Sequence, residues 1–119
     1  MRHDGHVTYG AVPHVAVEDI PDPPPLDTVI LDVRTPGEWA AGHVPGSLHI
    51  PLAALPGRAD EVPAARVLVV CHSGSRSAWA TAFLRQRGSD AVNLRGGLVA
   101  WANAGRPLVG GTGGSPSVD

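Results

Sequence analysis

Cys71 is the only cysteine in the chain, and it closes an apolar run over residues 66–71 (RVLVVC) that gives way at once to His72-Ser73-Gly74-Ser75-Arg76-Ser77. A strand that breaks into a tight loop of small residues and then a helix turns successive backbone N–H groups inward at a helix N-terminus. That arrangement is an anion cradle. A thiol at its rim is drawn toward thiolate by the positive potential, and the same N–H groups can hold an anionic substrate or a charged adduct on the sulfur. Gly74 supplies backbone angles closed to other residues, and Ser73, Ser75 and Ser77 are short enough not to fill the space. A lone cysteine ending an apolar strand is more often a small buried hydrophobe. The Gly/Ser loop and an arginine five positions on turn the reading toward a nucleophile.

Such a loop needs a strand held firmly behind it. Residues 28–33 (TVILDV) and 66–71 are β-branched and apolar runs without alternation, as expected of strands buried on both faces of a parallel sheet. Shorter strands are predicted over 15–17, 47–50 and 91–94. Thr35-Pro36-Gly37-Glu38 starts a short helix, with Thr35 as N-cap and Glu38 closing a capping box; Gly42 stops it. A weak helix is predicted over 52–61, interrupted by Pro56-Gly57. A clear one runs over 75–87 and ends at Gly88, and a last one leads from Gly96-Gly97 through Ala104. Pro21-Asp22-Pro23-Pro24-Pro25 can be neither and reads as an extended surface link. Strands alternating with helices specify an α/β fold, a parallel sheet covered on both faces, with sites beyond the carboxyl ends of the strands. Residues 1–12 read as a loose polar arm, 13–109 as the folded domain and 110–119 as a flexible tail.

Composition narrows the function classes. With 119 residues, 43% of them apolar and 17% charged, the chain can fill one core. A net charge of −2 offers no general attraction to nucleic acid or to anionic membrane. Apolar runs such as 67–71 fall far short of the ~20 residues that span a bilayer, and no apolar stretch follows Met1-Arg2-His3-Asp4-Gly5-His6, so no secretory signal is read and a cytoplasmic protein is expected. One cysteine rules out an internal disulfide, a multi-cysteine metal site and a self-contained dithiol pair. His3, His6 and His14 show no metal-ligand spacing, and no metal is expected. All nine basic residues are Arg, a coding bias that weakens arguments from any single arginine.

Four segments, in order and spacing, resemble the rhodanese domain, a sulfurtransferase module: residues 31–39 (LDVRTPGEW), 42–47 (GHVPGS), 71–76 (CHSGSR) and 94–101 (LRGGLVAW). The resemblance covers roughly residues 15–108. It implies a three-layer α/β/α fold with a five-stranded parallel sheet. It implies that Cys71 takes a sulfane sulfur from a small anionic donor such as thiosulfate, becomes a persulfide, and passes the sulfur to cyanide, a thiol or a protein acceptor. Neither metal nor organic cofactor is then needed. The other reading is a sulfur-relay or binding module of the same family with little turnover of its own; an intact Cys71 loop favours catalysis or relay over scaffolding. Phosphatase and arsenate-reductase relatives of the fold carry one residue more in this loop than the six from Cys71 to Arg76, which sets phosphoryl chemistry aside.

The residues around the loop then acquire candidate roles. Arg76 either binds the sulfonate end of the donor or pairs with a carboxylate beneath the loop. Pairing is favoured at a helix start, where a free positive charge opposes the macrodipole. Asp32 ends a buried strand and is expected to hold loop N–H groups or an arginine. Arg34 and Glu38, four apart, are expected to form a partly exposed pair. His72 is expected at the pocket mouth, His43 in a structural turn, and Trp39 and Trp101 as core and turn anchors. Trp79 is expected to cover a flank or an interface.

Overall fold

The computed structural model describes residues 12–110. The predicted arm and tail therefore lie, but for residues 12 and 110, outside the described residues. Five strands form one sheet: β1 (His14–Val15), β2 (Thr28–Asp32), β3 (Leu48–His49), β4 (Arg66–Val70) and β5 (Asp90–Leu94), in the order β1-β5-β4-β2-β3. All four pairings are parallel. The helices are α1 (Pro36–Ala41), α2 (Leu55–Arg58), α3 (Ser75–Gln86) and α4 (Gly97–Asn103).

The two runs without alternation are neighbours at the heart of the sheet. β2 and β4 pair in register from Thr28 against Arg66 to Asp32 against Val70. Successive side chains of β4 enter different cores. Val67 and Val69 pack with Leu31, Leu55, Ala80 and Leu84 on the side of α2 and α3. Leu68 and Val70 pack with Ile30, Leu94, Leu98 and Trp101 on the side of α4. Both faces are therefore hydrophobic, each fully buried Val or Leu contributing about 1.5–3 kcal/mol, and the molecule has three layers as expected.

Differences from the sequence reading sit at the edges. The first strand covers His14–Val15, and Val17 instead opens a turn of 3-10 helix over Val17–Asp19. The ladder to β5 closes with Arg95 N–H on the Val15 carbonyl; the chain then turns, Asp19 N–H bonding the Ala16 carbonyl. The weak helix over 52–61 divides into 3-10 turns at Leu52–Ala54 and Ala59–Glu61 around the single turn α2. Pro56, which lacks an N–H, sits in the first turn of α2, where no partner is missed. The first full helix follows its sequence signals closely. Thr35 Oγ1 accepts Glu38 N–H at 3.3 Å, Glu38 Oε1 accepts Thr35 N–H at 3.0 Å, and α1 stops at Gly42.

Parallel strands carry their following loops to one end of the sheet. Asp32, Val70 and Leu94 end adjacent strands, so the segments after β2, β4 and β5 converge there.

Candidate active site

Cys71 leaves the carboxyl end of β4 and is 1% exposed. Its Sγ accepts the backbone N–H of Gly74 at 3.1 Å and that of Ser77 at 3.3 Å, and lies 3.2 Å from Ser77 Oγ. Gly74 is the N-cap of α3 with φ 111°. A Cβ there would lie 3.3 Å from Gly96 N, so both the backbone angle and the close approach call for glycine. The sulfur thus rests on two amide dipoles at the head of a 12-residue helix, where a negative charge is favoured.

The back of the loop is fastened to α4. The N–H of Leu98 donates to the Cys71 carbonyl at 2.8 Å, and that of Val99 to the His72 carbonyl at 3.1 Å. These are first-turn donors that have no partner inside their own helix. Gly97, with φ 59°, allows the contact, because a Cβ on it would fall 2.5 Å from both carbonyl oxygens. The Gly-Gly pair before α4 and the Cys loop are one construction.

Ser77 does more than stay small. It is buried, and its hydroxyl donates to Asn93 Oδ1. Asn93, 2% exposed in β5, donates from Nδ2 to the Gly74 carbonyl at 3.3 Å and has His14 Nδ1 at 3.0 Å. Neither Asn93 nor His14 is marked by the sequence as part of the site. The available signal was a single amide among the apolar residues of DAVNL.

The charged residues pair otherwise than the four-residue spacing suggests. Arg34 does not meet Glu38. It is fully buried and donates through Nε and Nη2 to Asp32 at 2.8–3.1 Å and through Nη2 to the Gly42 carbonyl at 2.6 Å. Spacing of four brings two side chains together only along a helix, and Arg34 precedes the N-cap Thr35. Asp32 does hold an arginine, as expected. Glu38 takes Arg76 in a two-pronged pair, Nη1–Oε1 at 2.7 Å and Nη2–Oε2 at 2.8 Å. Of the two roles read for Arg76, the side chain adopts the pairing one.

That pair carries a pH signature. The hydrogen bonds from Arg76 foremost, helped by Thr35 and opposed by burial, lower the Glu38 carboxyl from 4.5 to about 2. A carboxyl lowered in the folded state stabilises the fold above its unfolded value and ceases to do so as pH falls through the folded one. Glu38→Gln retains the capping box and removes the charge. It should cost about 1 kcal/mol near neutrality, since Arg76 is 34% and Glu38 19% exposed. Denaturant unfolding of both proteins should show this difference shrinking from pH 4.5 toward pH 2. A gap that stays constant over that range would remove the ion pair as its cause.

Around this centre, Ser73 and Ser75 are exposed. His72 is half-buried, with Nδ1 shielded and without a hydrogen-bond partner. Leu52, Ala53, Pro56, Ser75, Arg76 and Trp79 line an open groove of about 510 Å³ beside the loop. Trp79, stacked on Phe83 with centroids 5.4 Å apart, forms one wall of it. Trp39 stacks on His43 at 3.6 Å and on His49 at 4.6 Å, while Trp101 is buried with Nε1–H on the Pro107 carbonyl, so both are anchors. Among the described residues no three His, Cys, Asp or Glu side chains gather as a metal site, and no helix is long and apolar enough to cross a membrane.

Comparison with known proteins shows the family of this fold. The model of the rhodanese-like domain matches residues 15–104. A protein named sulfurtransferase from Allochromatium vinosum is 46% identical over 85 residues, 70% of this chain and 79% of that one. The crystal structure of a rhodanese-related protein from Thermoplasma volcanium superposes with a TM-score of 0.68 at 34% identity, covering 70% of this chain and 84% of the other. A rhodanese-like domain protein from Staphylococcus aureus gives a TM-score of 0.65 at 28% identity over 89% and 99% of the two chains. With its parallel five-stranded sheet and its Cys71 loop set at the head of α3, the chain belongs to the rhodanese-like domain family.

Proposed function

We propose that the chain, through the unit 13–109, moves a sulfane sulfur from a small anionic donor such as thiosulfate to a thiophilic acceptor by way of a persulfide on Cys71. The observation that carries this reading is the Sγ of Cys71 held under the N–H groups of Gly74 and Ser77. The sulfurtransferase name of the Allochromatium relative supports it. In the first half-reaction the Cys71 thiolate attacks the outer sulfur of thiosulfate, the S–S bond of the donor breaks, and sulfite leaves with the bonding pair. The outer sulfur of the persulfide then carries the negative charge, and the loop N–H groups of residues 72–77 are the donors that can hold it. In the second half an acceptor nucleophile, cyanide or a thiol, attacks that outer sulfur and Cys71 leaves as thiolate. One cysteine is sufficient for this ping-pong sequence.

Asp32 and Arg34 brace the end of β2 against the Gly42 carbonyl, in a supporting role, and Arg76 ties the far end of the loop to Glu38. The groove walled by Trp79 gives an acceptor a way in beside Ser75 and Arg76. A lone reduced cysteine used in this way suits the cytoplasm.

The test is the mass of the intact protein. Thiosulfate should add one sulfur atom, and cyanide should remove it. Aryl phosphates should be hydrolysed negligibly, because a six-residue loop suits a smaller group than phosphate and the segment 71–77 carries no carboxylic acid to protonate a leaving group. Rapid loading followed by slow turnover with every small acceptor would favour the relay reading. Brisk phosphate hydrolysis without sulfur loading would overturn both.

A further inference from the structure

Ser77 Oγ lies between two atoms, 3.2 Å from Cys71 Sγ and 2.5 Å from Asn93 Oδ1. A hydroxyl has one proton and an amide carbonyl oxygen has none, so the proton between Ser77 and Asn93 belongs to Ser77. Ser77 therefore turns a lone pair toward the sulfur. The amide is held in this sense from its other side. Its Nδ2 donates to the Gly74 carbonyl at 3.3 Å and faces His14 Nδ1 at 3.0 Å. Rotated by half a turn, it would set its carbonyl oxygen against that of Gly74.

We propose that Asn93 is a positioning residue that commits the Ser77 proton away from Cys71, so that Ser77 accepts from the thiol and opposes the thiolate. Two backbone N–H groups draw negative charge onto Sγ, and the Ser77 oxygen restrains it. A thiol S–H has an acceptor in Ser77 Oγ, whereas a thiolate meets a lone pair. In the persulfide the restraint lapses, because Sγ is then a bridging, uncharged sulfur and the charge lies one atom further out. Asn93 thus biases the site toward its loaded form. This last consequence rests on the sulfur-transfer reading; the placement of the proton does not.

The experiment reads Cys71 itself, by the ultraviolet absorbance of its thiolate and its alkylation rate by iodoacetamide at one neutral pH. Asn93→Ala frees the Ser77 hydroxyl to donate to sulfur. A hydrogen bond to a charged group is strong enough that the thiolate-to-thiol ratio should rise about tenfold. Asn93→Asp leaves an oxygen acceptor for Ser77 and should give no rise. A residue that merely packs would move both variants in the same direction. In a Ser77→Ala background, Asn93→Ala should change the ratio by less than about twofold, since the two residues act as one unit. Ser77→Ala alone removes the opposing oxygen and should raise the ratio.

A fall in Ser77→Ala would overturn the proposal even if the Asn93 variants failed to fold. The same rise on adding Asn93→Ala with and without Ser77 would overturn it as well. These shifts in the variants, together with a wild-type protein that takes no sulfur from thiosulfate, would leave the proton placement standing and refute the proposed function.

Discussion

A Cys71→Ser protein is expected to fold, to gain no mass from thiosulfate, and to lose sulfur transfer to cyanide by about 10³-fold or more. The loss comes from chemistry rather than architecture. Serine oxygen is a poor nucleophile toward sulfur in the absence of a base, and it forms no persulfide. The fold should tolerate the change, because the Gly74 and Ser77 N–H groups that now point at Sγ can donate to a hydroxyl oxygen instead. A shift of about 1 kcal/mol in stability is expected for a buried change of this size. Mass spectrometry after thiosulfate, beside thermal unfolding, separates the two effects. A folded Cys71→Ser protein that turned over at the wild-type rate would eliminate the persulfide mechanism.

The second large effect lies outside the loop. Gly97→Ala should destabilise the protein by about 3 kcal/mol, from the left-handed backbone angle together with the loss of packing and hydrogen bonds. The added Cβ would lie 2.5 Å from the carbonyl oxygens of both Cys71 and His72. Backbone atoms cannot rotate away as a side chain can. The head of α4 must withdraw, and the bonds from Leu98 to Cys71 at 2.8 Å and from Val99 to His72 at 3.1 Å weaken with it. For a domain of this size the melting temperature should fall by roughly 10–20 °C. Sulfur loading should slow even at temperatures where the protein stays folded, because the loop loses its backing. Gly37→Ala is the control: a Cβ there meets nothing within 4 Å. Equal melting temperatures for the two alanine variants would falsify the close approach as the reason for glycine at 97.

Local physics was legible in the sequence. The runs 28–33 and 66–71 needed no partner to be read as buried strands, since short β-branched apolar stretches without alternation suit a strand covered on both faces. The capping box of Thr35 and Glu38 and the loop from Cys71 to Ser77 are likewise contained within a few consecutive residues, so their chemistry shows in their spelling. The parallel sheet followed from the alternation of elements.

Contacts between distant segments belonged to the tertiary structure alone. Glu38 meets Arg76 across 38 positions, and nothing in its own neighbourhood says that it will choose that partner over Arg34. Arg34 bonds Asp32 two residues away, but its hold on the Gly42 carbonyl, eight positions on, depends on how α1 folds back over the end of β2. Asn93 reaches Ser77, Gly74 and His14 only because β5 is inserted between β4 and β1. Hydrophobic burial is read from type and period, residue by residue. A buried hydrogen bond is directional and needs both ends in place, and the fold decides which two ends meet.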